Sequence, residues 1–412
     1  MTRLSSGTGD FALPGMINLH SHAFQRGIAG LTERAGSSED SFWTWRDVMY
    51  RFLDRLTPDD VEAIATMAYV EMLEAGYTRV CEFHYLHHDI DGQPYANTAE
   101  MAERIAAAAA ATGIGLTLLP VLYAHGGFGG QPAATGQRRF INDVDRFLRL
   151  HEASRQAIAR LPGAVLGVAP HSLRAITLEQ LNRTLDAIPL GPVHIHIAEQ
   201  EKEVADCLAW SGKRPVEWLL ETGMVDKRWC LIHATHVTPD EVAGMANSEA
   251  VVGLCPITEA NLGDGIFPAV DLVGVDGRYG IGTDSNVLIS VTEELRILEY
   301  GQRLRDRRRN RMGTLGSSIG AAMFKDALRG GLQAAGVAKS TNENRVVLAD
   351  TAIEFAGRSG DGILDTWIFA SGRSLISEVW ADGKRVVEGG RHIGRTAAEQ
   401  PFSQVMAKLA CV

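Results

Sequence analysis

The stretch Leu13-Pro14-Gly15-Met16-Ile17-Asn18-Leu19-His20-Ser21-His22 decides the reading of the fold: an apolar run leaves a Pro-Gly turn and ends on two histidines one residue apart. In a strand, positions i and i+2 face the same side, so both imidazoles can converge on one ion. Zinc takes neutral imidazole nitrogens as ligands and suits such a pair. The spacing alone is weak in a chain with thirteen histidines, so its meaning depends on where further ligand-type residues fall.

Outward from Gly15, short apolar runs alternate with longer amphipathic ones, the pattern of strand–helix units around a parallel sheet. Strands are predicted at Met16–His22, Thr78–Tyr85, Gly115–Tyr123, Val165–Pro170, Val193–Ala198, Cys230–Ala234, Val251–Cys255 and Tyr279–Gly282, eight in all. After Thr57-Pro58-Asp59-Asp60 a helix is expected, with an N-cap threonine, proline at its first position and acids in its first turn. Eight such units suit a (β/α)8 barrel, for which roughly 250 residues or more is usual; a doubly wound open sheet is the rival. Nearly every predicted strand ends in His, Glu, Asp or Tyr, on the face where barrel enzymes build their sites, and this favours the barrel.

Beyond Gly336 the pattern changes. Val346-Val347-Leu348, Thr366-Trp367-Ile368-Phe369 and Val379–Val387 read as short strands, the last folded about Asp382-Gly383 as a hairpin. The expected organisation is a barrel over residues 14–335, with residues 1–13 and 336–412 forming a small β-sandwich layer beside it.

At 412 residues and 45% hydrophobic, the chain can bury a large core. A net charge of −10 argues against a nucleic-acid partner. The arginine-rich run from Arg303 to Arg311 follows a helical pattern starting near Thr292 and reads as a solvated helix face or a subunit contact. Cys81, Cys207, Cys230, Cys255 and Cys411 show no Cys-x-x-Cys spacing, so reduced, mostly buried thiols in a cytoplasm are expected. Met1–Asp10 has no apolar core of the signal-peptide kind, and no run is long enough to cross a membrane.

The fifth predicted strand, Val193-His194-Ile195-His196-Ile197-Ala198-Glu199, places His194 and His196 on one face with Glu199 just past its end. The sixth ends Ile232-His233-Ala234-Thr235-His236, and the eighth runs into Gly282-Thr283-Asp284-Ser285-Asn286. Any one of these histidines could be a satisfied core residue. Four strands supplying ligand-type side chains at one barrel face point instead to a metal site.

These residues resemble the amidohydrolase superfamily, whose pattern is His-x-His on strand one, His on strands five and six, and Asp on strand eight. The resemblance implies one zinc ion held by His20, His22, His196 and Asp284, with Glu199 and His233 as acid–base groups. Two-metal members bridge their ions with a modified lysine on strand four; here Val168-Ala169-Pro170-His171 offers none, so one metal is expected. Zinc lowers the pKa of bound water toward neutrality and supplies hydroxide to attack a C=N or amide carbon. Asp284 would take the water proton, His233 would orient the hydroxide, and Glu199 would protonate the departing nitrogen.

On the same face lie Gln25, Arg46 in the loop Phe42-Trp43-Thr44-Trp45-Arg46, Tyr85, and the pair His171 and Arg174. Two guanidinium forks suit an anionic substrate, although either arginine alone could be in a surface ion pair. Trp43 and Trp45 read equally as loop packing or ligand stacking. Within the superfamily, the strings Asn18–Arg26, Phe42–Arg46, Glu82–His88, Pro170–Arg174 and Ala356–Asp365 are similar to the formimidoylglutamate deiminases of histidine degradation. That resemblance implies hydrolysis of N-formimidoyl-L-glutamate to N-formyl-L-glutamate and ammonia. Gln25, Arg46, Tyr85, His171 and Arg174 would bind this small dicarboxylate, and the chain would form a cytoplasmic homodimer.

The alternatives are a sister hydrolase, such as an imidazolonepropionase or an aromatic-base deaminase, and a non-catalytic truncated barrel. Two departures from the family pattern bear on the last. An additional N-terminal segment is missing ahead of the first strand, and Ala338-Lys339-Ser340-Thr341-Asn342-Glu343-Asn344-Arg345 replaces the usual Gly-x-x-Ala-Asp stretch. An incomplete small domain with an exposed sheet edge is the consequence expected.

Overall fold

The computed structural model describes residues 11–33, 42–341 and 343–410. In chain order the strands are β1 (Phe11–Pro14), β2 (Met16–Ser21), β3 (Tyr77–His84), β4 (Gly115–Leu122), β5 (Val165–Leu166), β6 (Ala169–Pro170), β7 (Val193–Ile197), β8 (Trp229–His233), β9 (Val251–Leu254) and β10 (Arg278–Ile281). After them come β11 (Arg345–Leu348), β12 (Ile376–Ala381), β13 (Lys384–Glu388) and β14 (Arg391–His392).

From β2 to β10 the strands pair in parallel as two arcs: β2, β3 and β4 with the short β5 and β6, and then β7 to β10. Isolated parallel bridges join the arcs at both seams, Ser21 to Asp284 and Val168 to Val193, so the strands run in a ring. Asn18 laces the first seam through its carboxamide, donating to Thr283 Oγ1 at 2.7 Å and accepting from the Thr283 amide at 3.0 Å. This is the ring expected of a (β/α)8 barrel, not the rival open sheet. In β7 every residue is buried, which fits a parallel strand covered on both faces.

The helices follow the expected start signals. Thr57 caps Pro58–Glu74 with a reciprocal bond to Asp60, and Thr177 with Gln180 and Thr238 with Glu241 repeat the device on later units. One large apolar cluster links these helices to the sheet and to the C-terminal strands.

Several details differ from expectation. The fourth predicted strand is split at Gly167, whose position leaves no room for a side chain, because a Cβ there would come within 2.6 Å of the Pro192 carbonyl. The segment Thr366–Phe369 belongs to a helix, Gly362–Ala370, and not to a strand. Its buried residues Ile363, Leu364, Trp367 and Ile368 recur at helical spacing, and Asp365 Oδ1 accepts the Gly320 amide at 2.8 Å; the short β-branched and aromatic run hid that period.

The Val379–Val387 hairpin forms as expected, and β12 and β13 join β1, β11 and β14 in an antiparallel sheet. The expected small-layer residues 1–10, and Cys411, lie outside the described residues. Cys81, Cys207, Cys230 and Cys255 are free and buried. Of the arginine run, Arg303, Arg305 and Arg311 pair with Glu299 and Asp306 around the end of the helix Val291–Asp306. Among the described residues no helix is long and apolar enough to cross a membrane.

Candidate active site

At the C-terminal ends of β2, β7 and β10, the ring gathers His20, His22, His196 and Asp284, with one ligand-type atom from each within 4.8 Å of every other. Asp284 Oδ1 lies 3.3 Å from His20 Nε2 and 3.2 Å from His22 Nε2. His22 donates from Nδ1 to the Phe83 carbonyl at 2.9 Å, and His196 from Nδ1 to the His171 carbonyl at 3.2 Å. Both bonds leave the Nε2 lone pair facing the cluster, the arrangement by which an outer partner orients a metal-bound histidine.

Burial pulls the His20 pKa down to about 3 and that of His196 well below its ordinary value, so both rings are neutral. Burial opposes ionisation of Asp284, but the imidazoles of His20 and His22 beside it hold its carboxyl well below the usual range. Imidazole nitrogens around one carboxylate, two of them 3.0 Å apart, fit a divalent zinc-type cation.

His233 closes β8 beside this cluster. Its Nδ1 donates to Glu259 Oε1 at 3.3 Å, while its Nε2 lies 3.9 Å from both Glu199 Oε1 and Asp284 Oδ2. Burial disfavours the imidazolium, yet Glu199, Glu259 and Asp284 outweigh burial and lift the pKa to about 10. Glu199 is pushed the other way from an ordinary carboxylate: its burial favours the protonated acid.

The backbone is strained at this rim. Ala198, His233, Ala234, Asp284 and Asn286 have φ values of 50°, 67°, 49°, 45° and 56°. Such left-handed residues cost about 1–3 kcal/mol each and gather where a fold must aim side chains.

One cavity is lined by His22, Gln25, Arg46, Tyr85, His171, Arg174, His196, Glu199, His233 and Asp284, so the chain brings the expected substrate and acid–base residues onto one concave surface with the ligand cluster; His20 sits behind it, fully buried. Gln25 donates to Tyr85 Oη at 2.8 Å. Gln25 Oε1, Arg46 Nε and Arg174 Nε are buried without a hydrogen-bond partner within the protein. Trp43 lies under both guanidinium groups, its ring centre 4.5 Å from Arg46 Cζ and 5.8 Å from Arg174 Cζ. Size does not mark the site: a cavity of 620 Å³ lined by Leu13, Phe324, Lys325 and Arg345 contains none of these groups.

The sequence reading missed Tyr50 and Tyr123, which line the cavity, and Gln137, which donates to Tyr123 Oη at 2.6 Å. Tyr123 was open to the rule that singled out Tyr85, since both stand just past strand ends. Glu259 was also missed. It lies within a helix following β9, so no strand-end rule marks it.

Comparison with known proteins follows from this geometry. The sequence profile of the amidohydrolase family matches residues 11–350. Formimidoylglutamate deiminase from Pseudomonas aeruginosa is 54% identical over 408 residues, covering 97% of this chain and 90% of that protein. The crystal structure of an amidohydrolase from Brucella melitensis superposes with a TM-score of 0.94 at 55% identity, over 97% of this chain and 90% of that one. An adenosine deaminase from Xanthomonas campestris, crystallised with bound zinc, shares the fold at a TM-score of 0.79 and 21% identity, over 98% of this chain and 87% of that one.

Proposed function

The chain belongs to the amidohydrolase family, and on that premise we propose that it hydrolyses N-formimidoyl-L-glutamate to N-formyl-L-glutamate and ammonia. The observation that carries this reading is the presence of Arg46 and Arg174 in one cavity with Glu199, His233 and Asp284. An amidine carbon held before the ligand cluster would leave its two carboxylates to guanidinium groups, whereas an aromatic base would find no such use for them. Similarity to the Pseudomonas aeruginosa deiminase over 97% of the chain supports the same reaction.

His20, His22, His196 and Asp284 would hold one zinc ion. That ion would supply Lewis acidity and a water acidic enough to ionise near neutral pH. His233, whose imidazolium the carboxylates around it favour, donates toward the oxygen that adds to the formimidoyl carbon and stabilises charge developing there. Asp284, ionised and next to it, accepts the proton that the water loses.

Glu199, whose burial favours the acid form, gives a proton to the terminal nitrogen as the oxygen adds. The proton held by Asp284 then passes to the same nitrogen and the hydroxyl proton returns to Glu199 as the C=O forms, so the C–N bond to that nitrogen breaks and ammonia leaves. The bond to the glutamate nitrogen stays intact. Gln25, Tyr85, His171, Arg46 and Arg174 orient the substrate. The free thiols of the four described cysteines fit a reducing cytoplasm, and a homodimer is the assembly proposed.

Ammonia release measured with N-formimidoyl-L-glutamate, guanine and imidazolonepropionate in parallel tests the assignment. Turnover of guanine or imidazolonepropionate alone would overturn it. Sedimentation of the native protein tests the dimer.

A further inference from the structure

Glu203 is a fully buried carboxylate that the reaction above does not use. It stands in the first turn of the helix Glu201–Ser211. Its Oε1 accepts the Ala198 amide at 3.2 Å, and its Oε2 lies 3.8 Å from Arg174 Nη2 with no hydrogen bond of its own. Ala198 carries the left-handed turn, φ 50°, that leads directly into Glu199. One carboxylate therefore touches both halves of the site: the peptide that aims the proton donor, and the guanidinium facing the substrate's acid group.

A neutral glutamine would satisfy the Ala198 amide equally well, and burying a charge is costly unless it is paired. The charge has a use only toward Arg174, for which Glu203 is the one ion-pair partner among the described residues. At 3.8 Å the pair holds Arg174 in place without saturating it, and Arg174 Nε stays without a partner. Trp43, 5.8 Å from Arg174 Cζ, limits its movement on another side.

We infer that Glu203 is a positioning residue that couples recognition of a substrate carboxylate at Arg174 to the placement of Glu199. This rests on the roles given to Arg174 and Glu199 in the proposed function. A carboxylate arriving at Arg174 redistributes the pull on Glu203, and the Ala198 peptide bonded to Glu203 feels the change. The carboxylate of the substrate then contributes to turnover as well as to affinity.

The test uses Glu203→Gln, Glu203→Ala, Arg174→Ala and the double variant Arg174→Ala/Glu203→Gln. It reads kcat and KM for N-formimidoyl-L-glutamate, glutarate binding by calorimetry, and zinc content. Glu203→Gln keeps an acceptor for Ala198 and loses the charge that links it to Arg174, so KM should rise and glutarate binding weaken about tenfold, and kcat should fall about fivefold. Glu203→Ala loses both contacts, and kcat should fall by about a further thirtyfold with zinc retained. In the Arg174→Ala background, Glu203→Gln should leave KM unchanged, because the two act through one pair.

Additive effects in the double variant, a fall in KM, or wild-type KM in Glu203→Gln would overturn the inference. If the wild type binds glutarate but does not turn over N-formimidoyl-L-glutamate, the proposed reaction fails while the calorimetric comparison still decides the role of Glu203. Absence of both glutarate binding and N-formimidoyl-L-glutamate turnover in the wild type would overturn both.

Discussion

The Nε2 atoms of His20 and His196 face each other across 3.0 Å, although 176 residues separate them in the chain. His196 spends its Nδ1 proton on the His171 carbonyl, and burial keeps His20 from charging. These nitrogens and Asp284 would serve as ligands to a single cation.

Metal removal should therefore cost stability as well as activity. Chelation and dialysis are expected to take zinc from about one ion per chain to near zero and to lower the melting temperature, since a ligand at a thousand times its Kd stabilises by about 4 kcal/mol. Activity should return on adding zinc. An unchanged melt in a metal-free sample would contradict the site.

Arg174→Ala should raise KM about 100-fold, the scale of losing a charge-assisted contact to a carboxylate, while zinc content stays at the wild-type level. Steady-state kinetics and metal analysis on one preparation check this. Parallel loss of zinc would make Arg174 a structural residue.

Glu259→Gln should act on turnover. The Nδ1 bond of His233 to Glu259 orients its ring and helps keep it charged, so kcat is expected to fall about tenfold to a hundredfold with KM changed little. A variant that loses only substrate affinity would rule out that role.

Asp60, which does not line the cavity, sets a pH dependence of its own. Burial opposes its ionisation, but the Lys408 ammonium and the Thr57 donors hold its pKa below the usual value. A depressed folded-state pKa contributes stability that is present above the unfolded value of about 4 and lost as pH falls through the folded one. Asp60→Asn should thus cost about 1 kcal/mol near neutrality, and the gap to wild type should close in acid. Denaturant unfolding at both pH values would show it.

Gly330→Ala should destabilise the barrel by about 3 kcal/mol through overpacking. The helix Ile319–Ala334 crosses β10 so closely that a Cβ at Gly330 would lie 1.9 Å from the Tyr279 carbonyl oxygen. A thermal melt within a degree of wild type would mean the helix shifts freely.

Much of the fold was legible because its signals are local. Short apolar runs ending in His20-Ser21-His22, His196 and His233, with threonine-capped helices between them, need no knowledge of what lies across the barrel. Thr366–Phe369 misled because four residues are too few to separate a strand from a buried helix face whose period extends back to Ile363.

By itself the sequence determined the residue types at the strand ends and the alternation of strands and helices, since both depend on neighbours within one turn or one pleat, and its resemblance to a family implied which of those residues are candidate ligands. Only the tertiary structure decided that Glu259 holds His233, that Trp43 lies beneath Arg46 and Arg174, and that Glu203 touches both Ala198 and Arg174. Those relations are distances across strands and helices. Ring closure and packing set them, and no periodicity along the chain encodes them.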